Sequence, residues 1–466
     1  MPCPRSHASA FVARRRALQS RLSTPALFAA GLPLARNYRA NTFTYRATSH
    51  FLYLVGAPLA GAALLVMPEK TVLFVEPEGE DDALWHGARP TLDDLHRDLA
   101  VDAVRPLSDI DAALEEIGAA KIATLPPQDA WTAAWLSARL ERTVLPSSGD
   151  ALERGGADAE LAEAMIALRL QHDVAAVAQM RAAAEASVRA HLAGMRATRP
   201  GETEHAVCGA MIGALRREGF ADAYEPIVTI EGEVLHHHGH ENTLAAGDLL
   251  LADVGGESAE GWAADITRTW PVSGTFSSTQ RAIYDVVLAA QRAAIDKVRP
   301  GTSYRDVHET AKRTMVTGLR DLGIFRGEVD GLLERGAHAI FFPHGIGHLL
   351  GLDVHDMEDL GDRAGYAPGR SRSEKFGDRY LRLDRDLVPG MAVTIEPGFY
   401  QVPGILRDKR IVGPVGDDLR RDELAKYADV RGIRIEDDVL CTDGAPEVLT
   451  AGLPKNAADI EAAMRS

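Results

Sequence analysis

The stretch His344-Gly-Ile-Gly-His-Leu-Leu-Gly-Leu-Asp-Val-His-Asp356 decides how this 466-residue chain is read. Its first two histidines have the i,i+4 spacing of a helical zinc site. Gly345 and Gly347 disfavour a helix between them, however, and no His-Glu-x-x-His pattern is present, which argues against a helical zinc protease. The histidines are instead expected on a glycine-rich turn.

Working outward, four acids close or interrupt apolar runs in the same half of the chain. Asp253 ends Leu-Leu-Leu-Ala and precedes Val-Gly-Gly, and Asp265 opens Asp-Ile-Thr-Arg-Thr. Glu396 lies in Thr-Ile-Glu-Pro-Gly, and Glu436 in Arg-Ile-Glu-Asp-Asp. A carboxylate buried at a strand end without a partner costs several kcal/mol or takes up a proton. Divalent cations remove that penalty. Each acid alone reads as a cap or surface residue; the conjunction with His348 carries the argument.

That conjunction resembles the pita-bread metallopeptidases: methionine aminopeptidase, prolidase and aminopeptidase P. The family's Asp, Asp, His, Glu and Glu ligands fall, in chain order, on Asp253, Asp265, His348, Glu396 and Glu436. The resemblance to aminopeptidase P is the closest. It rests on His344–Asp356, on Ile433-Arg-Ile-Glu-Asp-Asp, and in the first half on Tyr45-Arg-Ala-Thr-Ser-His-Phe-Leu-Tyr-Leu-Val-Gly and Trp85-His-Gly-Ala-Arg. It runs from about residue 10 to near the C-terminus. Two departures stand out: the Asp253–Asp265 interval is one residue longer than the family leads one to expect, and a charged insert containing Asp408, Lys409, Arg410, Asp417 and Asp418 separates Glu396 from Glu436. The insert is expected near the rim of the site.

The resemblance implies an α+β protein with an N-terminal α/β ribonuclease-H-like domain, placed at 1–165, and a C-terminal pita-bread domain, placed at 166–466. It implies a metal-dependent exopeptidase that cleaves the bond preceding proline at the N-terminus of peptides. A prolidase restricted to dipeptides is the alternative. Histone-binding relatives and creatinase-like hydrolases share the fold but depart from the full ligand set, which is retained here. Two divalent ions are implied, Mn²⁺ above all, which also suits an oxygen-rich donor set. Such a pair acidifies a water that attacks the carbonyl before proline. Asp265 and Glu436 would bridge the ions, Asp253 would serve one, and His348 and Glu396 the other. Glu396 could also carry a proton from the nucleophile to the leaving nitrogen. His344 and His355 match histidines that stabilise the oxyanion or hold substrate. Arg434, two residues before Glu436, is expected on the same strand face, orienting a ligand carboxylate or binding substrate. The family has one substrate-facing histidine in Val234-Leu-His-His-His-Gly-His-Glu-Asn. Spacing from Asp253 selects His236, whereas Glu241-Asn242 selects His238. On a strand His236, His238 and His240 would share a face, so both of the first two stand as candidates and His237 is expected to point away.

Composition agrees with a soluble globular protein of two or three domains: 46% hydrophobic and 25% charged, with net charge −16. That acidity argues against nucleic acid as a partner. Cys3, Cys208 and Cys441 form no CxxC pair, which fits a reducing compartment and a cytoplasmic location. The apolar run from Leu22 to Ala35 is broken by Pro25, Gly31 and Pro33, so neither a signal peptide nor a membrane span is expected. A homodimer or tetramer is implied by the resemblance.

Patterning places strands at Ala26–Ala30, Phe51–Val55, Ala63–Val66 and Val72–Val75, with helices at Thr91–Leu99, Ile110–Ile117 and Ala130–Leu140. Loop signals follow at Pro146-Ser-Ser-Gly-Asp and Gly155-Gly156. One long helical stretch is expected from Asp158 to His191, then a helix at Glu204–Glu218. Further strands are expected at Ile227–Ile230, Leu249–Asp253, Ala392–Glu396 and Ile433–Val439, with helices at Thr279–Val298 and Ser303–Leu322.

Overall fold

The computed structural model describes residues 5–79, 82–146, 152 and 155–465. Cys3 and the Ser147–Asp150 part of the Pro146 loop signal lie outside them. The described chain forms two compact units, Arg5–Ala176 with Met357–Ala364, and Val177–Asp356 with Gly365 onward.

In the first unit Ala26–Ala29, Ala63–Val66, Thr71–Val75 and Ala103–Pro106 form one sheet in that order, antiparallel except for the last pair. Leu27, Leu65, Val72 and Phe74 meet Ile110 and Leu136 in its core. The helix Leu92–Leu99 starts at a capping box, Thr91 with Asp94. The apolar run at Phe51, expected as a strand, is a fully buried helix, Ser49–Val55. A run hydrophobic on every side carries no period to separate the two forms. Gly56 decides it. In the left-handed region (φ +75°) it closes the helix by donating to Leu52, and a Cβ there would meet the Phe11 ring at 2.2 Å.

The stretch from Asp158 to His191 is two helices, Ala157–Arg169 and Val174–Ala197. Asp173 makes the break: its Oδ1 accepts from the Ala176 N–H at 2.8 Å while Arg14 holds the same carboxylate. Met357–Ala364 joins this unit despite its distance in sequence. Asp359 Oδ2 lies 3.1 Å from His50 Nε2, whose Nδ1 accepts from Arg169 at 3.0 Å.

The second unit holds the C-terminal chemistry. Thr267–Pro271, Leu249–Asp253 and Ile227–Thr229 make an antiparallel sheet in which Asp253 pairs with both Thr267 and Ile227. Trp270, Tyr284, Met315, Phe325 and Phe399 fill the core between this sheet and the helices Ser278–Ile295 and Tyr304–Asp321. The run Ile433–Val439, expected as one strand, is two: Gly432–Arg434 pairs with Gly398–Tyr400, and Asp437–Leu440 with Ala392–Ile395. The partner chain explains the break. Pro397 has no N–H to donate, so between the two segments only the long bond from Ile435 N–H to Pro397 O, 3.4 Å, remains. Glu436 N–H turns instead to Thr267 O at 3.0 Å. Both glutamates of the sequence motif thus sit at one interruption.

Candidate metal centre

Asp253, Asp265, His348, Glu396 and Glu436 all line one cavity of about 580 Å³. Among the described residues, Asp265, His348 and Glu436 bring one ligand atom each within 4.8 Å of one another. His348 Nε2 lies 3.3 Å from Asp265 Oδ2 and 3.8 Å from Glu396 Oε1. Tyr224 Oη joins Asp253 to Asp265, at 2.7 and 2.6 Å. Close backbone approach makes this convergence possible. A Cβ on Gly255 would stand 1.8 Å from Ala264 O, and one on Gly347 would stand 2.2 Å from Thr394 O. Only glycine lets Asp253 and His348 be carried so near their neighbours.

Burial dominates the electrostatics. It pushes the Glu396 carboxyl up to about 7 and Asp253 up to about 6, the latter opposed by Arg434 and reinforced by Asp265. Glu436 rises well above the carboxylate range through burial and then the charges of Asp265 and Glu396. Burial would raise Asp265 as well, but hydrogen bonding and charge from His348 hold it below its ordinary value. One phenolic proton on Tyr224 serves only one of its two carboxylates. Without cations the cluster must therefore retain protons; bound cations would let the carboxylates ionise.

The histidine tautomer fits the same purpose. His348 Nδ1 is 3.0 Å from Leu349 O, so Nδ1 donates to that carbonyl and the Nε2 lone pair faces Asp265 and Glu396. Four carboxylates, two buried and two partly buried, with an imidazole so oriented are a donor set for hard to borderline divalent cations. The residues fit the metals.

Of the other expected residues, His236, His344, His355 and Arg434 line the cavity. His238 does not: its Nδ1 lies 3.6 Å from Glu225 on a half-exposed side chain. Residues 231–240 are turns followed by irregular chain and not a strand, so the alternation that tied His236 to His238 and His240 does not operate. His237 turns to Glu231 at 3.0 Å. Arg434 donates to Asp253 Oδ2 at 2.6 Å, to Tyr400 Oη at 3.1 Å and to Thr267 Oγ1 at 2.9 Å, and Thr267 donates to Glu436 at 2.7 Å. His344 is neutral, pulled down to about 3 by burial and by Arg434, with its nitrogens at Gly345 O (2.8 Å) and Tyr400 Oη (3.0 Å). His355 Nδ1 accepts from Arg382 at 3.3 Å, which leaves the proton on Nε2. Burial, then His348 and Arg382, push its value down to about 2.

Sequence reasoning missed Tyr224, Tyr400, Thr267, Arg372 and Arg382. Thr267 stood two residues after Asp265, a strand-alternation signal; lone tyrosines and arginines carried none. The charged insert reaches the cavity through an apolar residue, Ile405, while its Asp408 and Arg410 pair with each other.

Comparison with known proteins agrees with this geometry. Residues 178–443 match Metallopeptidase family M24, and residues 11–124 match Aminopeptidase P, N-terminal domain. The chain belongs to metallopeptidase family M24. It is a metal-dependent hydrolase of the aminopeptidase P type, with the N-terminal domain of that type ahead of a pita-bread M24 domain. A probable Xaa-Pro aminopeptidase of Paracoccidioides lutzii is 32% identical over 436 residues, covering 90% of this chain and 87% of that protein. Aminopeptidase PepP of Pseudomonas aeruginosa superimposes with a TM-score of 0.78 at 31% identity, covering 99% of this chain and 98% of that one. Zinc-substituted Escherichia coli aminopeptidase P in complex with product gives 0.77 at 30% identity, covering 99% of both chains. No described helix of this M24 protein is long and apolar enough to cross a membrane.

Proposed function

We propose that this M24 peptidase removes the first residue from peptides of three or more residues whose second residue is proline, using two Mn²⁺ ions. The convergence of Asp253, Asp265, His348, Glu396 and Glu436 on one cavity carries the reading. Asp265, Glu436, Asp253, His348 and Glu396 would together hold the two ions. Oxygen donors outnumber nitrogen four to one, which favours Mn²⁺ over a thiolate-seeking metal. The ions supply Lewis acidity toward the scissile carbonyl and acidify a water.

The remaining work falls to the chain. Glu396 accepts the proton of the attacking water and returns it to the proline nitrogen. His355, protonated at Nε2, donates toward the developing oxyanion. His344 and Arg434 fix Tyr400 from two sides, and Arg434 clamps Asp253. His236 binds substrate, with His238 beyond the cavity wall. Free thiols at Cys208 and Cys441 favour the cytoplasm. The protein works as a homodimer or tetramer, acts on no nucleic acid or membrane, and divides functionally into 1–165 and 166–466.

The test is hydrolysis of Ala-Pro-Ala and Ala-Pro by cation-free protein to which Mn²⁺, Zn²⁺ or Mg²⁺ is restored. Release of alanine from the tripeptide, fastest with Mn²⁺, is expected. Cleavage of the dipeptide alone would make the protein a prolidase and refute the length preference.

A further inference from the structure

A second group of potential ligands lies outside the cavity lining. His308, on the helix Tyr304–Asp321, His338, on the turn Ala337–Ile340, and Asp378, on the turn Asp378–Tyr380, bring ligand atoms within 4.8 Å of one another. The two imidazoles are 1% and 2% exposed. None of their four ring nitrogens makes a hydrogen bond. The Nε2 atoms stand 3.6 and 3.2 Å from Asp378 Oδ1, the first too far and the second out of alignment. Two buried rings edge-on at 6.4 Å, aimed at one carboxylate they do not bond, are costly as they stand. An ion between the three would satisfy both Nε2 lone pairs and the carboxylate together.

We propose that His308, His338 and Asp378 form a second, structural metal site for a single borderline cation of the Zn²⁺ class. Two imidazoles and one carboxylate are a three-ligand Zn²⁺ set that leaves a fourth position open to water. The five residues of the principal centre take no part. Gly377 lets the turn approach, since a Cβ there would lie 3.1 Å from His338 Nε2 and 2.7 Å from Ala339 Cβ. The flanking residues Phe376 and Tyr380 line the catalytic cavity, so the ion would fasten its wall from behind. Lys312, whose Nζ is 2.8 Å from Asp378 Oδ1 and 2.7 Å from Glu309 Oε1, is the competitor for that carboxylate.

The experiment uses the full chain with the principal centre disabled (Asp265→Asn with Glu436→Gln), equilibrated with Zn²⁺, desalted, and assayed for metal and for its thermal unfolding midpoint. A single retained Zn²⁺ per chain is expected, lost on adding His308→Leu or His338→Leu. Lys312→Met should bind Zn²⁺ about tenfold tighter, because it removes a like charge beside the ion. That gain would not follow if the lysine were merely a structural bridge. In the otherwise unaltered protein, His308→Leu should lower the saturating metal content by one ion, a readout that stands if the disabled protein does not fold. No retained Zn²⁺ in folded protein, or retention indifferent to both histidine substitutions, overturns the site and leaves Lys312 as the cation of Asp378.

Discussion

Replacing Glu396 by Gln should stabilise the protein when metals are withheld and destabilise it when they are supplied. The Glu396 carboxyl has an ordinary value of 4.5 and a buried value of about 7. The folded state thus holds its proton more tightly than the unfolded chain. Its contribution is fully present below pH 4.5 and is lost as pH rises to about 7. At roughly 1.4 kcal/mol per unit, the loss is about 3 kcal/mol. Glutamine has the same shape and no proton to lose. In chelator the gap between variant and parent should therefore grow from near zero at pH 4.5 to about 3 kcal/mol at pH 7.5. His344 and His355, pulled down to about 3 and 2, are neutral in the fold, so their contribution weakens as pH falls below 6.5. They titrate in the opposite sense, but both proteins carry them and the difference cancels. With excess Mn²⁺ the sign reverses, because the parent gains the binding free energy that a missing ligand forfeits. Urea unfolding at several pH values, with chelator and with Mn²⁺, reads both effects. A gap in chelator that stays constant from pH 4.5 to 7.5 would refute the claim that this carboxyl is buried against its charge.

Tyr224→Phe removes the hydroxyl shared by Asp253 and Asp265; metal affinity should fall about tenfold or more while kcat at saturating Mn²⁺ changes little, as read from activation curves. His236→Ala should lower kcat/KM on Ala-Pro-Ala about a hundredfold, against less than about twofold for His238→Ala; equal losses would place both histidines at the substrate. Gly347→Ala forces a Cβ to within 2.2 Å of Thr394 O and 2.5 Å of Tyr304 Oη. Its thermal midpoint should drop by an amount worth about 3 kcal/mol, with loss of bound metal, because backbone oxygen cannot yield as a flexible side chain does.

Much of this protein could be read without coordinates because its chemistry is tied to local pattern. Leu249–Asp253 reads as a buried strand from composition and has those bounds in the structure. The helices expected at Thr279–Val298 and Ser303–Leu322 are Ser278–Ile295 and Tyr304–Asp321 in the structure. The metal motifs stand out because carboxylates in apolar runs are rare without cause. Where period was absent, reading failed: Ser49–Val55 is buried on every face, and Gly56 in the left-handed region closes it as a helix.

What the sequence marked by itself was a set of candidate ligands, since acids inside apolar runs and a histidine between glycines are local facts, and the family resemblance joined them into one site. Tertiary structure alone decided how they are held. Tyr224 reaches Asp253 and Asp265 across 29 and 41 residues, and Arg434 reaches Asp253 across 181. It also put His236 and not His238 in the cavity lining, because residues 231–240 form no strand, and it set His308, His338 and Asp378 side by side. Such contacts are made by packing between distant segments, and no periodicity in one segment records where another will lie.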